Sequence, residues 1–316
     1  MSGDDITDVE WRAILAKRLD VSHFQPFFSI VEVDIGARSD CGLVKVHNTD
    51  HFLALQIGRV QRTLVTSLAA DDLPPDFQEY GYALVVADGF GEEGAGVRAS
   101  RVALSAIAHL AIQYGRWNVR LAAETPADIV EQGEFFYRRA NDAVLEASRA
   151  DDRLAGIAAS MTAVYIVGVD LFFAHAGHAR AFLFRDGALI QLTTDHTLEH
   201  EERVAPGPKP LGGSKLDIAH VVTETVGGRT GGPDVEIEHV QLWSGDRIVL
   251  CTNGLTDVVT VDQIADVLAL RRTPDEDCRQ LVERALAAGG PDNVTVVVAD
   301  YRVQAAPAHI ERWPAA

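Results

Sequence analysis

The sequence predicts an α+β fold in which helices cover antiparallel sheets. Apolar residues spaced three and four positions apart predict long helices at residues 94–113 and at Pro126–Ala150. From Met161 onward apolar residues alternate with polar ones, which is typical of strands. Because the strands are grouped apart from the long helices instead of alternating with them, a doubly wound parallel sheet is disfavoured.

The first part of the chain mixes short elements with polar segments. Residues 7–20 place Trp11 and Leu15 on one face of an amphipathic helix, and Thr7 or Asp8 can cap its start. Three apolar runs predict strands, at residues 27–35, 51–55 and 83–87.

The second half of the chain is predicted to consist mainly of strands. Turns at Val169-Asp170 and Asp186-Gly187 join four of them into one antiparallel meander. The strands are predicted at residues 162–167, 171–175, 181–184, 188–192, 235–242, 247–251 and 293–301, and two further helices at residues 261–270 and 275–288.

Two segments rich in proline, glycine and charge are predicted as connections. Residues 66–81 are expected to form a loop, and residues 199–232 a surface flap, since so long a connection often has a function. No linker-like stretch divides the 316 residues, so one domain is predicted at 27–302. A helical extension at 1–26 precedes it and a flexible tail at 303–316 follows it.

The net charge of −18, from 28 basic and 46 acidic residues, disfavours binding to nucleic acid or to anionic membrane surfaces. It favours metal ions or basic partner segments. Three separated cysteines disfavour a zinc ribbon and a disulfide framework. The N-terminus lacks a signal-peptide pattern and no run is long enough to span a bilayer, so we expect a cytoplasmic protein.

Oxygen-bearing side chains stand at the ends of three apolar runs. Asp88 follows the run at 83–87, Asn253 follows the run at 247–251, and Asp292 precedes the final strand. A lone buried carboxylate is costly and normally has hydrogen-bond donors or a cation as partner. If the three side chains converge, they form a site for a hard divalent cation.

Residues 89–94 read Gly-Phe-Gly-Glu-Glu-Gly, which matches the dinucleotide-binding fingerprint. Glu92 and Glu93 place negative charge where a pyrophosphate would lie at the helix N-terminus. The next strand pattern is also too distant to supply the acidic residue that binds the ribose. Dinucleotide binding is therefore kept only as a distant alternative.

Four histidines are grouped in two pairs. His196 and His200 lie four positions apart without the glutamate of the metalloprotease motif, and we expect a solvated surface pair. His175 and His178 lie next to a strand, and we expect them to be structural instead of metal ligands.

Six segments, in order, resemble the motifs of the metal-dependent (type 2C, or PPM-type) protein serine/threonine phosphatases. Asp88-Gly89, Asn253-Gly254 and Asp292-Asn293 belong to three of them, and the segment at 156–163 is a looser match. The six segments lie at residues 39–50, 85–100, 156–163, 174–196, 245–257 and 289–298, within a resemblance that covers residues 28–302.

The resemblance implies a four-layer α-β-β-α sandwich, with two antiparallel sheets flanked by helices. It implies hydrolysis of phosphoserine and phosphothreonine in proteins, with two Mg²⁺ or Mn²⁺ ions that activate a water by lowering its pKa. By position, the resemblance implies that Asp88 bridges the two ions and that the carbonyl group of Gly89 binds one of them. Asn253 and Asp292 would bind the other ion. Asp50 would orient the water, and Lys45 would contact the substrate phosphate.

The chain departs from the family pattern at several of these positions. The family has Glu where this chain has Thr49, an acid at Asn253 and Arg at Lys45, and its Gly-Asp-Ser-Arg segment here reads Gly-His-Ala-Arg at 177–180. Loss of one charge about 4 Å from a divalent ion, at an effective dielectric of about 20, weakens metal binding by about two to four powers of ten. We therefore expect one of the two metal positions to be weak or lost.

Two functions follow. The first is a phosphoprotein phosphatase with weakened metal affinity. The second is an inactive pseudophosphatase that binds a phosphoprotein or another partner without turnover.

Overall fold

The computed structural model describes residues 31–68, 77–114, 126–204 and 221–303. Among the described residues, contacts group 31–57 and those from 80 onward into one compact unit, and 58–68 with 77–79 belong to a second. The strands are β1 (Val31–Asp40), β2 (Asp50–Gln61), β3 (Phe77–Phe90), β4 (Ala158–Val167), β5 (Asp170–Ala176), β6 (Arg180–Arg185), β7 (Ala188–Gln191), β8 (Glu236–Gln241), β9 (Arg247–Cys251) and β10 (Val294–Val303). The helices are α1 (Gly96–Tyr114), α2 (Pro126–Ala150), α3 (Leu198–Val204), α4 (Asn253–Thr256), α5 (Val261–Ala269) and α6 (Pro274–Ala287), with 3₁₀ turns at Glu92–Gly94 and Asp152–Leu154.

The strands form two five-stranded sheets. The first has the order β1-β10-β9-β6-β7 and the second the order β2-β3-β4-β5-β8. Pairing is antiparallel along β1-β10-β9-β6-β7 and along β3-β4-β5-β8. The predicted α+β class is therefore confirmed.

Alternate burial within single strands explains the four layers. In β3, Leu84 and Val86 belong to an apolar cluster shared with residues of the first sheet, such as Leu250. Their neighbours Val85 and Ala87 belong to a separate cluster with residues of α1 and α2. Successive side chains of a strand point to opposite faces, so a strand that is apolar at every position is buried on both faces.

The first sheet is covered in the same way by α5 and α6. Val296 and Val298 of β10 share an apolar cluster with Ile264 of α5 and Leu281 of α6, whereas Val297 faces the second sheet. Both helices begin with a capping box, formed by Thr260 and Gln263 and by Thr273 and Glu276. These predicted helices are confirmed to within one residue at each end.

The predicted single meander at residues 162–192 is wrong. The β4-β5 hairpin lies in the second sheet and the β6-β7 hairpin in the first, and the chain changes sheet at residues 177–179. Gly177 has φ +122°, and a Cβ there would lie 2.2 Å from Ser160 Oγ. Ser160 Oγ also accepts hydrogen bonds from the backbone N–H groups of His178 and Ala179, both at 2.9 Å, and so fixes this crossing.

Two other expectations change, and two are not tested. Residues 77–81 belong to β3 and not to a loop. The predicted flap begins with helix α3, and Val226 near its end is buried and pairs with Ala159. The predicted helix at 7–20 and nearly all of the predicted tail lie outside the described residues.

The three cysteines are free. Within the described ranges, no helix combines the length and the apolar character that crossing a membrane requires.

Candidate metal and phosphate site

The structure brings the three polar strand ends to one cavity. Asp88 lies near the end of β3, Asn253 begins α4 directly after β9, and Asp292 lies two residues before β10. All three line an open cavity of about 450 Å³, together with Lys45 and Gly89. The antiparallel order places the end of β9 beside the start of β10, which accounts for the proximity of the last two residues.

Close backbone packing fixes two walls of this cavity. A Cβ on Gly89 would lie 2.0 Å from the carbonyl oxygen of Gly96, and a Cβ on Gly96 would lie 2.2 Å from that of Gly89. A Cβ on Gly254 would lie 1.9 Å from Asn293 O. Glycine is therefore required where β3 meets α1 and where α4 meets the segment before β10. Gly89, the first glycine of the fingerprint, therefore serves this packing.

The dinucleotide alternative is wrong. The fingerprint requires a parallel βαβ unit, whereas β3 pairs with β4 in antiparallel register.

Asp50, at the start of β2, lies close enough to Asp88 that its charge raises the pKa of the Asp88 carboxyl group. Asp50 is 4% exposed and Asp88 9%. Burial raises the pKa of Asp50 to about 6. Burial, followed by the charges of Asp50 and Asp292, raises the pKa of Asp88 well above its usual value. Two buried carboxylates that repel each other create a strong demand for a cation.

Thr252 positions Asp50, although the sequence did not indicate a role for this threonine. Thr252 Oγ1 donates to Asp50 Oδ2 at 2.7 Å and accepts from the backbone N–H of Thr295 at 3.0 Å. Asp50 Oδ1 is buried and receives no hydrogen bond from a donor group of the described residues. This oxygen is therefore available to a water or an ion.

The basic and amide groups of the site have partners. Lys45 Nζ lies 3.2 Å from Asp292 Oδ1, and both side chains are partly exposed. Asn253 Nδ2 donates to Asp257 Oδ2 at 2.9 Å. The Asn253 nitrogen therefore points to Asp257, which leaves its oxygen as the group that can bind a cation.

The hydroxyl group of Thr49 points into the protein and not into the cavity. Its Oγ1 and its backbone N–H both donate to Asn293 Oδ1, at 2.9 and 2.8 Å. Asn293 Nδ2 in turn donates to the carbonyl oxygens of Cys41 and His47, at 2.8 and 3.0 Å. Asn293 thus fixes the loop that carries Lys45. This role could not be predicted from the sequence, because an Asn after Asp usually hydrogen-bonds within its own turn.

His178, which we expected to be structural, also lines the cavity. Its Nε2 lies 3.8 Å from Asp88 Oδ2, and its ring packs against Phe90 with 5.5 Å between centroids. The chain crosses from one sheet to the other at residues 177–179, and this crossing brings His178 to the cavity. A single meander would not place His178 there.

The residues present fit one divalent cation better than two. Carboxylate, amide and carbonyl oxygens are the ligands that Mg²⁺ and Mn²⁺ prefer, and the oxygen without a donor on Asp50 is what such an ion or its waters would satisfy. A second ion has no carboxylate at Thr49 and only a neutral oxygen at Asn253. No set of one carboxylate oxygen each from Asp50, Asp88 and Asp292 lies within 4.8 Å of one another. Water molecules would therefore complete the coordination of a bound cation.

A known protein family and several known proteins are similar to this chain in sequence. Residues 78–302 match the family model for the stage II sporulation protein E (SpoIIE). The serine/threonine protein phosphatase PstP of Mycobacterium tuberculosis is 31% identical over 268 residues, which are 84% of this chain but only 44% of PstP. The serine/threonine phosphatase stp of Listeria monocytogenes is 25% identical over 69% of this chain and 83% of its own length.

Solved structures show the same fold. The catalytic domain of PstP in complex with two manganese ions has a TM-score of 0.63 and 29% identity, over 86% of this chain and 99% of that one. The S. agalactiae serine/threonine phosphatase has a TM-score of 0.67 and 23% identity, over 85% and 99% of the two chains. On the sequence matches and the shared architecture, the chain belongs to the metal-dependent, PPM-type (SpoIIE/PP2C) serine/threonine protein phosphatase family.

Proposed function

We propose that this chain hydrolyses phosphoserine and phosphothreonine in proteins with a divalent cation held at Asp88, and that its second metal position is weak. The observation that supports this most is the pair of buried carboxylates Asp50 and Asp88, of which Asp88 lines an open polar cavity. Two such groups next to each other destabilise the fold unless a cation compensates them. A bound cation would therefore explain why these two carboxylates are buried next to each other.

Asp88, Asp292, the carbonyl of Gly89 and the amide oxygen of Asn253 are the groups that would hold Mg²⁺ or Mn²⁺. When bound, such an ion neutralises the phosphoryl oxygens and lowers the pKa of water towards neutrality. Asp50 Oδ1 can accept a hydrogen bond from a water and so orient it, because Thr252 occupies only the other oxygen.

Lys45 binds the substrate phosphate in this proposal. Its ammonium group already lies 3.2 Å from a carboxylate oxygen of Asp292, and half of its side chain is exposed. A phosphate that enters the cavity offers Lys45 an alternative anion. A lysine contributes a point charge without the two parallel hydrogen bonds of an arginine, so phosphate binding is less oriented than in relatives with arginine.

The inactive alternative is supported by Thr49 and Asn253. The Thr49 hydroxyl is directed to Asn293, and Asn253 contributes no charge. If the second ion is essential to the reaction, the cavity would bind a phosphorylated segment of a partner protein without turnover.

A comparison of three proteins decides between the two functions. We would measure phosphate release from a phosphothreonine peptide, with Mn²⁺ and with EDTA, for the wild type, for Asp88→Asn and for the double variant Thr49→Glu/Asn253→Asp. The proposal expects Mn²⁺-dependent release by the wild type, loss of it in Asp88→Asn and faster release by the double variant. Release by the double variant alone would establish the inactive alternative, and release by none of the three would refute the phosphatase proposal.

A further inference from the structure

A run of apolar side chains is exposed at the rim of the candidate metal and phosphate cavity. It belongs to residues 41–47, called the rim loop here, which lie between β1 and β2. Leu43, Val44 and Val46 are 68%, 67% and 85% exposed. Single exposed apolar residues are common on proteins, but three within four positions at the edge of a binding cavity indicate a contact surface for a partner.

The rim loop is fixed to the segment that carries Asp292. Leu43 N–H donates to the carbonyl oxygen of Gly290 at 2.8 Å. Gly42 has φ +75°, and a Cβ there would lie 2.2 Å from the carbonyl oxygen of Asp292. The side chain of Asn293 holds both ends of the loop. A surface that is already fixed loses little conformational entropy on binding, so its exposed side chains are preorganised for a partner.

The apolar side chains of the rim loop adjoin the proposed phosphate contact. Lys45 stands between Val44 and Val46 in the sequence, and Lys45 and Val46 both line the cavity. Consecutive residues of an extended chain are at most about 3.6 Å apart, so the neighbours of a phosphorylated residue remain close to its phosphate. When the phosphate reaches Lys45, the flanking residues of the substrate therefore lie against the rim loop.

Charge on the rim disfavours acidic residues in those flanking positions. Gly91 and Gly94 line the cavity, and the two residues between them, Glu92 and Glu93, are exposed. A Cβ on Gly94 would lie 2.6 Å from the ring of His47, so this acidic turn adjoins the end of the rim loop. An acidic segment would be repelled by the two glutamates, whereas an apolar segment matches the exposed side chains of the loop.

We propose that the rim loop binds apolar residues next to the phosphorylated residue of a protein substrate, and that Val44 and Val46 set this sequence preference. The inference deepens the proposed function and rests on its phosphate contact at Lys45. Every phosphoprotein offers the same phosphate, so discrimination among them requires contacts outside the phosphate. Burial of the exposed valines against apolar flanking residues supplies such a contact.

The test measures binding, so turnover is not required. One probe is a fluorescent peptide in which a non-hydrolysable phosphonate analogue of phosphothreonine is flanked by valine and leucine. A second probe has serine and glutamine at the flanking positions. Titration of each probe with the full chain in Mn²⁺, followed by fluorescence anisotropy, gives the two dissociation constants.

The wild type is expected to bind the apolar probe about tenfold or more tightly than the polar probe, because each buried methyl group contributes about fourfold in affinity. In Val46→Ser and in Val44→Ser/Val46→Ser, the ratio of the two dissociation constants should fall towards one. Both valines are exposed, so these variants should fold, and circular dichroism checks this.

Val204→Ser provides the matched control. Val204, at the end of α3, is 70% exposed and lies outside the described lining of the cavity. This variant makes the same change away from the rim loop and should keep the tenfold preference. Equal affinity of the wild type for the two probes, or the same ratio in Val46→Ser and Val204→Ser, would overturn the inference and leave the phosphatase proposal standing.

A third probe, with unmodified threonine and apolar flanks, separates this inference from the proposed function. If this probe binds as tightly as the apolar phosphonate probe, the phosphate contact fails and the inference fails with it. Selective binding of the apolar phosphonate probe, without phosphate release from the matching phosphopeptide, would support the rim loop and overturn only the proposed hydrolysis.

Sedimentation of the wild type and of Val46→Ser tests the other occupant of this surface, a second copy of the chain. The proposal expects the same mass for both proteins. A wild-type dimer that Val46→Ser dissociates would assign the rim loop to self-association and overturn the proposal.

Discussion

Replacement of Asn253 by Asp tests how the site balances charge. Asn253 is 5% exposed, and its Nδ2 donates to Asp257 Oδ2 at 2.9 Å. Asn253→Asp replaces this donor with an oxygen at about the same distance from a carboxylate. At an effective dielectric of about 20, the repulsion at this separation is about 6 kcal/mol.

Protonation limits this cost. Keeping an Asp protonated at pH 7 costs about 4 kcal/mol, since its usual pKa is about 3 units lower and each unit is worth about 1.4 kcal/mol. Without metal, Asn253→Asp is therefore expected to lower the free energy of unfolding by up to about 4 kcal/mol at pH 7. Because the pKa of the shared carboxyl pair is raised in the folded state, the loss should shrink as the pH falls towards 5.

A divalent ion reverses the effect. The added carboxylate is expected to lower the dissociation constant of Mn²⁺ at least 100-fold. At Mn²⁺ concentrations well above both dissociation constants, a 100-fold difference adds about 2.7 kcal/mol to the stability of the variant. Asn253→Asp should therefore be the less stable protein in EDTA and regain most of the difference in Mn²⁺.

Urea unfolding of both proteins, in EDTA and in Mn²⁺, measures these quantities. The double variant Asn253→Asp/Asp257→Asn is the control, because it keeps the new carboxylate and removes the repulsion, so its stability in EDTA should return towards that of the wild type. Equal stabilities of the single variant and the wild type in EDTA, or an equal gain from Mn²⁺, would refute the reasoning.

Three other changes test separate parts of the molecule. Arg247 is fully buried and bonds to Asp277 and Asp300, so Arg247→Leu leaves these carboxylates only their longer contacts to Arg272 and Arg302, and urea unfolding should show a free energy of unfolding lower by about 3–5 kcal/mol. Cys278 is buried, and burial raises the pKa of its thiol to about 12. The thiol should therefore stay protonated and unreactive from pH 7 to pH 9, and mass spectrometry should detect its alkylation only after unfolding. Lys45→Ala should raise the KM for a phosphothreonine peptide at least tenfold, as steady-state kinetics would show, because it removes the proposed phosphate contact.

Each of these has a control. Arg279→Leu removes an exposed ion pair with Glu283 and should cost at most about 1 kcal/mol, and a similar loss in Arg247→Leu would contradict the role of the buried network. Labelling of native Cys278 would contradict its burial. Lys45→Arg keeps the charge and should retain a low KM, and an unchanged KM in Lys45→Ala would exclude Lys45 from phosphate binding.

The sequence predicted the α+β class because its predicted strands are grouped apart from its long helices. The central part of β3 was recognisable as an apolar run, since Leu84 and Val86 face one layer and Val85 and Ala87 the other. Its first residues were missed, because Gln78 and Glu79 have no strand pattern. The meander was wrong because alternation predicts a strand without indicating which sheet it joins.

The convergence of Asp88, Asn253 and Asp292 could be anticipated from polar residues at strand ends. The supporting contacts could not, because they join distant segments. Thr252 reaches Asp50 and Asn293 reaches Thr49 only after the two sheets have packed. His196 was expected at the surface, yet it lies half-buried against His175, which is in the other sheet.

A crystal structure determined with Mn²⁺, with anomalous data at the manganese edge, tests the central claim most directly. The carboxylates of Asp88 and Asp292 should then lie within about 2–2.6 Å of an anomalous peak, with the Asn253 oxygen or waters completing the coordination. A cavity without a peak at saturating Mn²⁺, with Lys45 still paired to Asp292, would contradict the metal site and with it the proposed hydrolysis.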